Sequence, residues 1–174
     1  MSNNPSDYCN WIIKDQILVG GYPYPKPEYR PTHLDRLIAA KVNVFISLVE
    51  QHEIDKFGDY NKLLLSNMKG IIYHNVPIKD RSITEDEVIL NLVKNVYNWI
   101  QNGKLVYVHC WGGHGRTGTV VSCFLQYVYG MNAEDALKWN RSLHATRKYN
   151  SHKPTPQGTK QYAQVRRFQK YLTN

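Results

Sequence analysis

Short β-forming runs at 11–14 and 17–20 open the chain, and a stretch dense in tyrosine and proline, 21–31, follows them. The four prolines of that stretch exclude regular structure. Residues 32–41 have the pattern of a short helix. The run 42–48 (Val-Asn-Val-Phe-Ile-Ser-Leu) is nearly all apolar, as a strand covered on both faces must be, and a second such run, 70–76, ends at Pro77. Thr84-x-x-Glu87 has the spacing of a capping box. It opens a helix whose Ile89, Leu92, Val93, Val96, Trp99 and Ile100 recur at helical intervals until Gly103. Residues 105–109 then read as a buried strand, and helices follow at 117–129, 132–144 and 156–172. Strands alternating with helices, then a helical C-terminal third, predict an α/β fold: a central, mostly parallel sheet of about five strands flanked by helices. No internal repeat or linker divides the 174 residues, so 1–174 is expected to form a single domain.

Charge narrows the partners. Lys plus Arg number 22 against 14 Asp plus Glu, a net charge of +8, and this points to an anion. Nucleic acid, acidic lipid and phosphorylated protein are all compatible with it. The three cysteines, Cys9, Cys110 and Cys123, form no C-x-x-C pair, which disfavours a disulfide framework or a structural zinc site. They suggest a reducing, cytoplasmic setting. No apolar run reaches the roughly 20 residues of a membrane span, and the C-terminus carries no prenylation box, so no membrane anchor is expected.

Candidate chemistry concentrates in His109-Cys110-Trp111-Gly112-Gly113-His114-Gly115-Arg116-Thr117-Gly118, between the last buried strand and the helix after it. Free backbone N–H groups and the helix dipole make such a junction an anion site. Gly112, Gly113 and Gly115 allow the loop to curl around a phosphate, and Arg116 can grip two of its oxygens with a planar fork. The same donors favour a thiolate at Cys110 over a thiol, which makes a nucleophile. A buried core cysteine would need no such surroundings. Residues 113–118 also fit G-x-G-x-x-G, the dinucleotide fingerprint. That motif calls for a second strand and an acid about 20 residues on; here a helix follows, with Asp135 inside it.

His109-Cys110-x5-Arg116-Thr117-Gly118 resembles the signature of the cysteine-dependent protein-tyrosine and dual-specificity phosphatases, and the similarity extends over most of the chain. The resemblance implies a protein-tyrosine-phosphatase-like fold with the active-site loop between sheet and helix. It implies Cys110 as nucleophile, and Arg116 with the amides of 111–116 (Trp111, Gly112, Gly113, His114, Gly115, Arg116) as phosphate cradle. It further implies a Thr117 hydroxyl stabilising the departing thiolate and a His109 that orients the loop. Cleavage of an ester needs a proton donor on a mobile loop. Asp80, between the second apolar run and the helix capped at Thr84, is the candidate, with Pro77-Ile78 before it as in the family. Gln157 and Gln161, four apart before the last helix, resemble the family's two glutamines, the first of which positions water.

Substrate identity is less constrained. Trp111 and His114 stand where phosphoinositide phosphatases of the superfamily carry lysines, which tilts the expectation toward phosphotyrosine or phosphoserine/threonine proteins. A phosphoinositide or inositol phosphate is the alternative, since His114 could be cationic in an anionic complex. An RNA 5′-triphosphatase would not need Asp80, so no nucleic acid is expected, and a non-catalytic phosphate-binding module would not need the cysteine, arginine and acid together. Arg141, Arg147, Lys148 and Lys153 read as a solvated charged face rather than a basic rim. Tyr22, Tyr24 and Tyr29 read as packing for the proline-rich loop rather than as walls of a cleft. Neither metal nor cofactor is implied, Cys9 and Cys123 read as structural, and a monomer is expected.

Overall fold

A computed structural model describes residues 3–173. Five strands form one sheet: β1 (Cys9–Ile13), β2 (Ile17–Gly20), β3 (Val44–Ser47), β4 (Ile72–Asn75) and β5 (Val106–His109), in the order β1-β2-β5-β3-β4. β1 pairs antiparallel with β2 at one edge, and every other pairing is parallel. Seven helices accompany them: α1 (Leu34–Ala39), α2 (Gln51–Phe57), α3 (Tyr60–Asn67), α4 (Asp86–Gln101), α5 (Gly115–Tyr129), α6 (Ala133–His144) and α7 (Thr159–Thr173). The expected α/β architecture with its mostly parallel sheet is thus observed.

The central strands are apolar because both their faces are covered. Val44, Phe45, Ile46, Val106, Tyr107 and Val108 are all fully buried. α5 is the central helix: residues 115–126 are buried throughout, and α4, α6 and α7 pack around it. Two of its buried hydroxyls are satisfied within the helix, Thr119 Oγ1 donating to the Gly115 carbonyl and Ser122 Oγ to that of Gly118, each at 2.9 Å. Gly130, left-handed with φ 63°, closes its C-terminus.

Register positions the site. Gly20 lies beside His109 and His109 beside Ser47, so the loops leaving β2, β5 and β3 emerge together at the C-terminal end of the sheet. Open α/β sheets bind ligands at that end.

The sequence reading needs correction at two elements. The segment 49–69, unassigned there, holds α2 and α3, each too short to show a helical repeat. The capping box at Thr84 does not form; α4 starts at Asp86 with Glu85 as N-cap. α7 packs against that helix end. Gln164 Nε2 donates to the Thr84 carbonyl, and the Arg167 guanidinium holds the Asp86 carboxylate at 2.6 Å.

Candidate active site

Cys110 follows β5 directly, and the chain turns through Gly113 (φ 74°) before α5 begins at Gly115. A Cβ on Gly113 would run into the backbone of Gly20, so this position needs glycine for both conformation and space. The turn brings the Gly113 amide to the cysteine, its N–H donating to Sγ at 3.3 Å. Burial alone would push the thiol up. The Arg116 guanidinium, the Thr117 hydroxyl and the amides of Thr117 and Gly113 outweigh burial and hold the Cys110 pKa below its ordinary value. Thr117 Oγ1 is buried and has no other partner among the described residues. Cys9 and Cys123 are pushed the opposite way, because burial outweighs the Ser6 hydroxyl and Arg147 at Cys9 and Arg167 at Cys123.

Arg116 is almost wholly buried and rigidly held. Glu53 of α2 takes both of its terminal nitrogens, Oε2 accepting from Nη1 at 2.7 Å and Oε1 from Nη2 at 2.8 Å, and the Ile78 carbonyl accepts from Nη1 at 2.9 Å. Nη2 also lies 3.1 Å from Asp80 Oδ1. Nε has no partner among the described residues. Burial would lower the Arg116 pKa, but the Glu53 carboxylate, the cysteine and Asp80 raise it above its ordinary value, so the fork stays cationic. Glu53, against the cost of its own burial, is held below the usual carboxylate range mainly by Arg116. It was not singled out in the sequence, where an acid in a two-turn helix 63 residues upstream carries no signal. Glu50, His52 and Glu53 are the one grouping of potential metal ligands among the described residues, and Arg116 already occupies both Glu53 oxygens.

The loop is braced by neutral histidines and a buried arginine. His109 Nδ1 lies 3.0 Å from the Cys110 carbonyl and Nε2 lies 2.6 Å from the Tyr60 hydroxyl. A carbonyl can only accept, so Nδ1–H donates to it and Nε2 accepts from Tyr60. His114 Nδ1 meets His144 Nε2 at 2.7 Å, and Thr155 Oγ1 donates to the His114 carbonyl at 2.9 Å. Burial, reinforced by Arg147, keeps His114 neutral by lowering its pKa to about 3. Arg147 is not a solvated charge either. Only 4% exposed, it donates to Asn10 Oδ1 and to the carbonyls of Gly112 and Val19, tying the loop to β1 and β2.

A cavity of about 300 Å³ opens above the sulfur, and its lining includes Cys110, Trp111, Gly112, His114, Gly115, Arg116, Asp80 and Gln157. The structure therefore brings Asp80 and Gln157 to Cys110 from distant parts of the chain. His109, Gly113 and Thr117 lie behind the lining. Gln161 also reaches the cavity, where its Oε1 accepts from the amides of Gln157 and Gly158 at 3.1 Å and so fixes the loop that carries Gln157. Tyr22 packs as expected, buried edge-on against Tyr60 and His109. Tyr29 departs from expectation. It is 40% exposed and lines the cavity, because Trp111 and Phe57 support its edge from below. Tyr24 is exposed too. Lys153 and Arg30 line the same cavity, so the basic rim that was set aside exists in part, while Lys148 instead pairs with Asp7 at the surface.

His33, His109, His114 and His144 are all neutral in the fold, with pKa values lowered by burial to about 4, 3, 3 and 4. The unfolded chain takes up protons on these residues near pH 6.5 and the folded chain does not. Stability therefore falls as pH drops below 6.5, by about 1.4 kcal/mol per pH unit for each site until its folded value is reached. The urea midpoint should be markedly lower at pH 5 than at pH 7. Equal midpoints would show that these rings are not buried neutral.

The profile described as "Swiss Army Knife protein, DSP-PTPase phosphatase domain" matches residues 6–168. The chain belongs to this family. It is 30% identical to tyrosine-protein phosphatase cdc-14 of Caenorhabditis elegans over 144 residues, 76% of this chain and 18% of that protein. It is 37% identical to mouse protein tyrosine phosphatase domain-containing protein 1 over 143 residues, 78% of this chain and 19% of the other. The chain thus spans about a fifth of the length of either relative. Among solved structures, kinase-associated phosphatase with its catalytic cysteine replaced by serine superposes with a TM-score of 0.76 at 22% identity, covering 90% of this chain and 87% of that one. PTPMT1 in complex with PI(5)P superposes at 0.72 with 18% identity, covering 92% and 94%. Among the described residues no helix is long and apolar enough to cross a membrane.

Proposed function

We propose that the chain hydrolyses phosphate monoesters through a phosphocysteine intermediate on Cys110. The observation that carries this reading is the Cys110 sulfur, held toward its thiolate at the floor of a cavity whose wall is a buried, prefixed arginine. The loop amides and the Nε and Nη2 side of Arg116 take the phosphoryl oxygens, since Glu53 already occupies the end of the fork. The thiolate attacks phosphorus, the ester P–O bond breaks, and Asp80 delivers a proton to the leaving oxygen. A phosphate in the cradle competes with Asp80 for Nη2, so substrate binding frees the carboxylate from its ion pair with Arg116 to take up from water the proton it delivers. In the second step water attacks the phosphocysteine, Asp80 accepts its proton, Gln157 positions the water, and the Thr117 hydroxyl donates to the returning thiolate. Neutral His109 holds the Cys110 carbonyl throughout.

The names of the relatives favour phosphotyrosine, phosphoserine and phosphothreonine proteins as substrates. The charge of the cavity wall favours a second reading, a phosphorylated polyol. Three free cysteines, all buried, suit the reducing interior of a cell. Phosphate release should be compared for a phosphotyrosine peptide, a phosphothreonine peptide, a phosphoinositide and a 5′-triphosphorylated RNA. Release from at least one monoester and none from the RNA is expected. Failure on every monoester would overturn the reading in favour of a binding module.

A further inference from the structure

We propose that Arg30, with Lys153 of the same cavity lining, forms a second anion subsite that receives another phosphate of the same substrate, a compact and multiply phosphorylated alcohol. This deepens the phosphatase reading and rests on it for the cleavage step. Arg30 is built into the site. Its Nη2 donates at 2.8 Å to the carbonyls of both Tyr22 and Trp111, the latter adjacent to Cys110, and its guanidinium stacks 4.4 Å above the Trp111 ring. Its Nε is buried with no partner, an arrangement that is costly unless a ligand or water meets it. Lys153 and Arg81 line the same cavity, and none of these three cations pairs with a carboxylate among the described residues. Asp80 is the one acid in the lining, and Glu53 offsets Arg116 from behind. The cavity therefore carries uncompensated positive charge after the scissile phosphate has taken Arg116.

The cations arrive on three separate loops and surround one cavity of about 300 Å³ instead of forming a stripe across the surface. In an extended peptide successive side chains point to opposite sides, so an acid next to the phosphorylated residue faces away from these walls. A polyol keeps its phosphates on one small frame and presents them to Cys110 and Arg30 together. Its source can be a soluble inositol phosphate or the headgroup of an inositol lipid.

Calorimetry on the Cys110→Ser protein, which cannot turn over, tests the subsite apart from the chemistry. Inositol trisphosphate should bind about 10-fold tighter than inositol monophosphate, or more. Arg30→Gln and Lys153→Gln should each weaken trisphosphate binding about 10-fold while weakening monophosphate binding far less. Lys153 is exposed, so its variant retains the fold, and monophosphate binding checks that each protein is intact. Equal affinity for the two inositol phosphates, or parallel losses for both, would overturn the proposal. So would a phosphotyrosine peptide with acidic neighbours showing the larger dependence on Arg30. Short-chain phosphatidylinositol phosphates measured alongside separate the lipid source from the soluble one. Failure of the phosphatase reading is a distinct result, namely wild-type protein that shows this binding pattern and releases no phosphate.

Discussion

Cys110→Ser should abolish phosphate release from p-nitrophenyl phosphate, by at least about 10⁴-fold, while the protein keeps its fold and its affinity for phosphate. Arg116, Thr117 and the loop amides that lower the thiol pKa are groups that favour an anion at this point. A hydroxyl ionises far less readily than a thiol, so the same donors leave serine protonated and a poor nucleophile. The cradle survives the change, because Arg116 is fixed by Glu53 and Ile78 and the loop by Arg147, Thr155 and His109. Appreciable residual turnover would place the nucleophile elsewhere.

Asp80→Ala should lower kcat by about 10² to 10⁴-fold, the usual contribution of a positioned acid. The loss should be larger for phenyl phosphate than for p-nitrophenyl phosphate, whose leaving group needs little help from a proton. Substrate affinity should not fall, because removing Asp80 also removes its competition for Arg116 Nη2. A near-normal rate with phenyl phosphate would assign the proton to another group.

What the sequence reveals of this site follows from how locally each part is encoded. The strand, glycine-rich loop and helix around Cys110 are contiguous, and their residue types are dictated by burial, a tight turn and an anion, so all three can be read in one pass. Asp80 can be found because ester cleavage requires an acid and the chain offers a loop between a strand and a helix. Glu53, Arg30 and Arg147 could not be found this way. Their roles arise from contacts across 63, 81 and 35 residues, and nothing adjacent in sequence distinguishes them from surface charges. At Thr84 the local capping signal is not used, and the helix starts two residues later, at Asp86, with Glu85 as N-cap. α5 begins at Gly115, two residues before the sequence pattern would start it, so the last cradle amides belong to the first turn of the helix.

The phosphocysteine is the central claim, and it can be trapped. Wild-type protein mixed with p-nitrophenyl phosphate, quenched in acid during turnover and digested, should yield by mass spectrometry a single phosphoryl group on the sulfur of Cys110. Turnover with Cys110 unmodified and the phosphoryl group on another residue, or on none, would contradict the account.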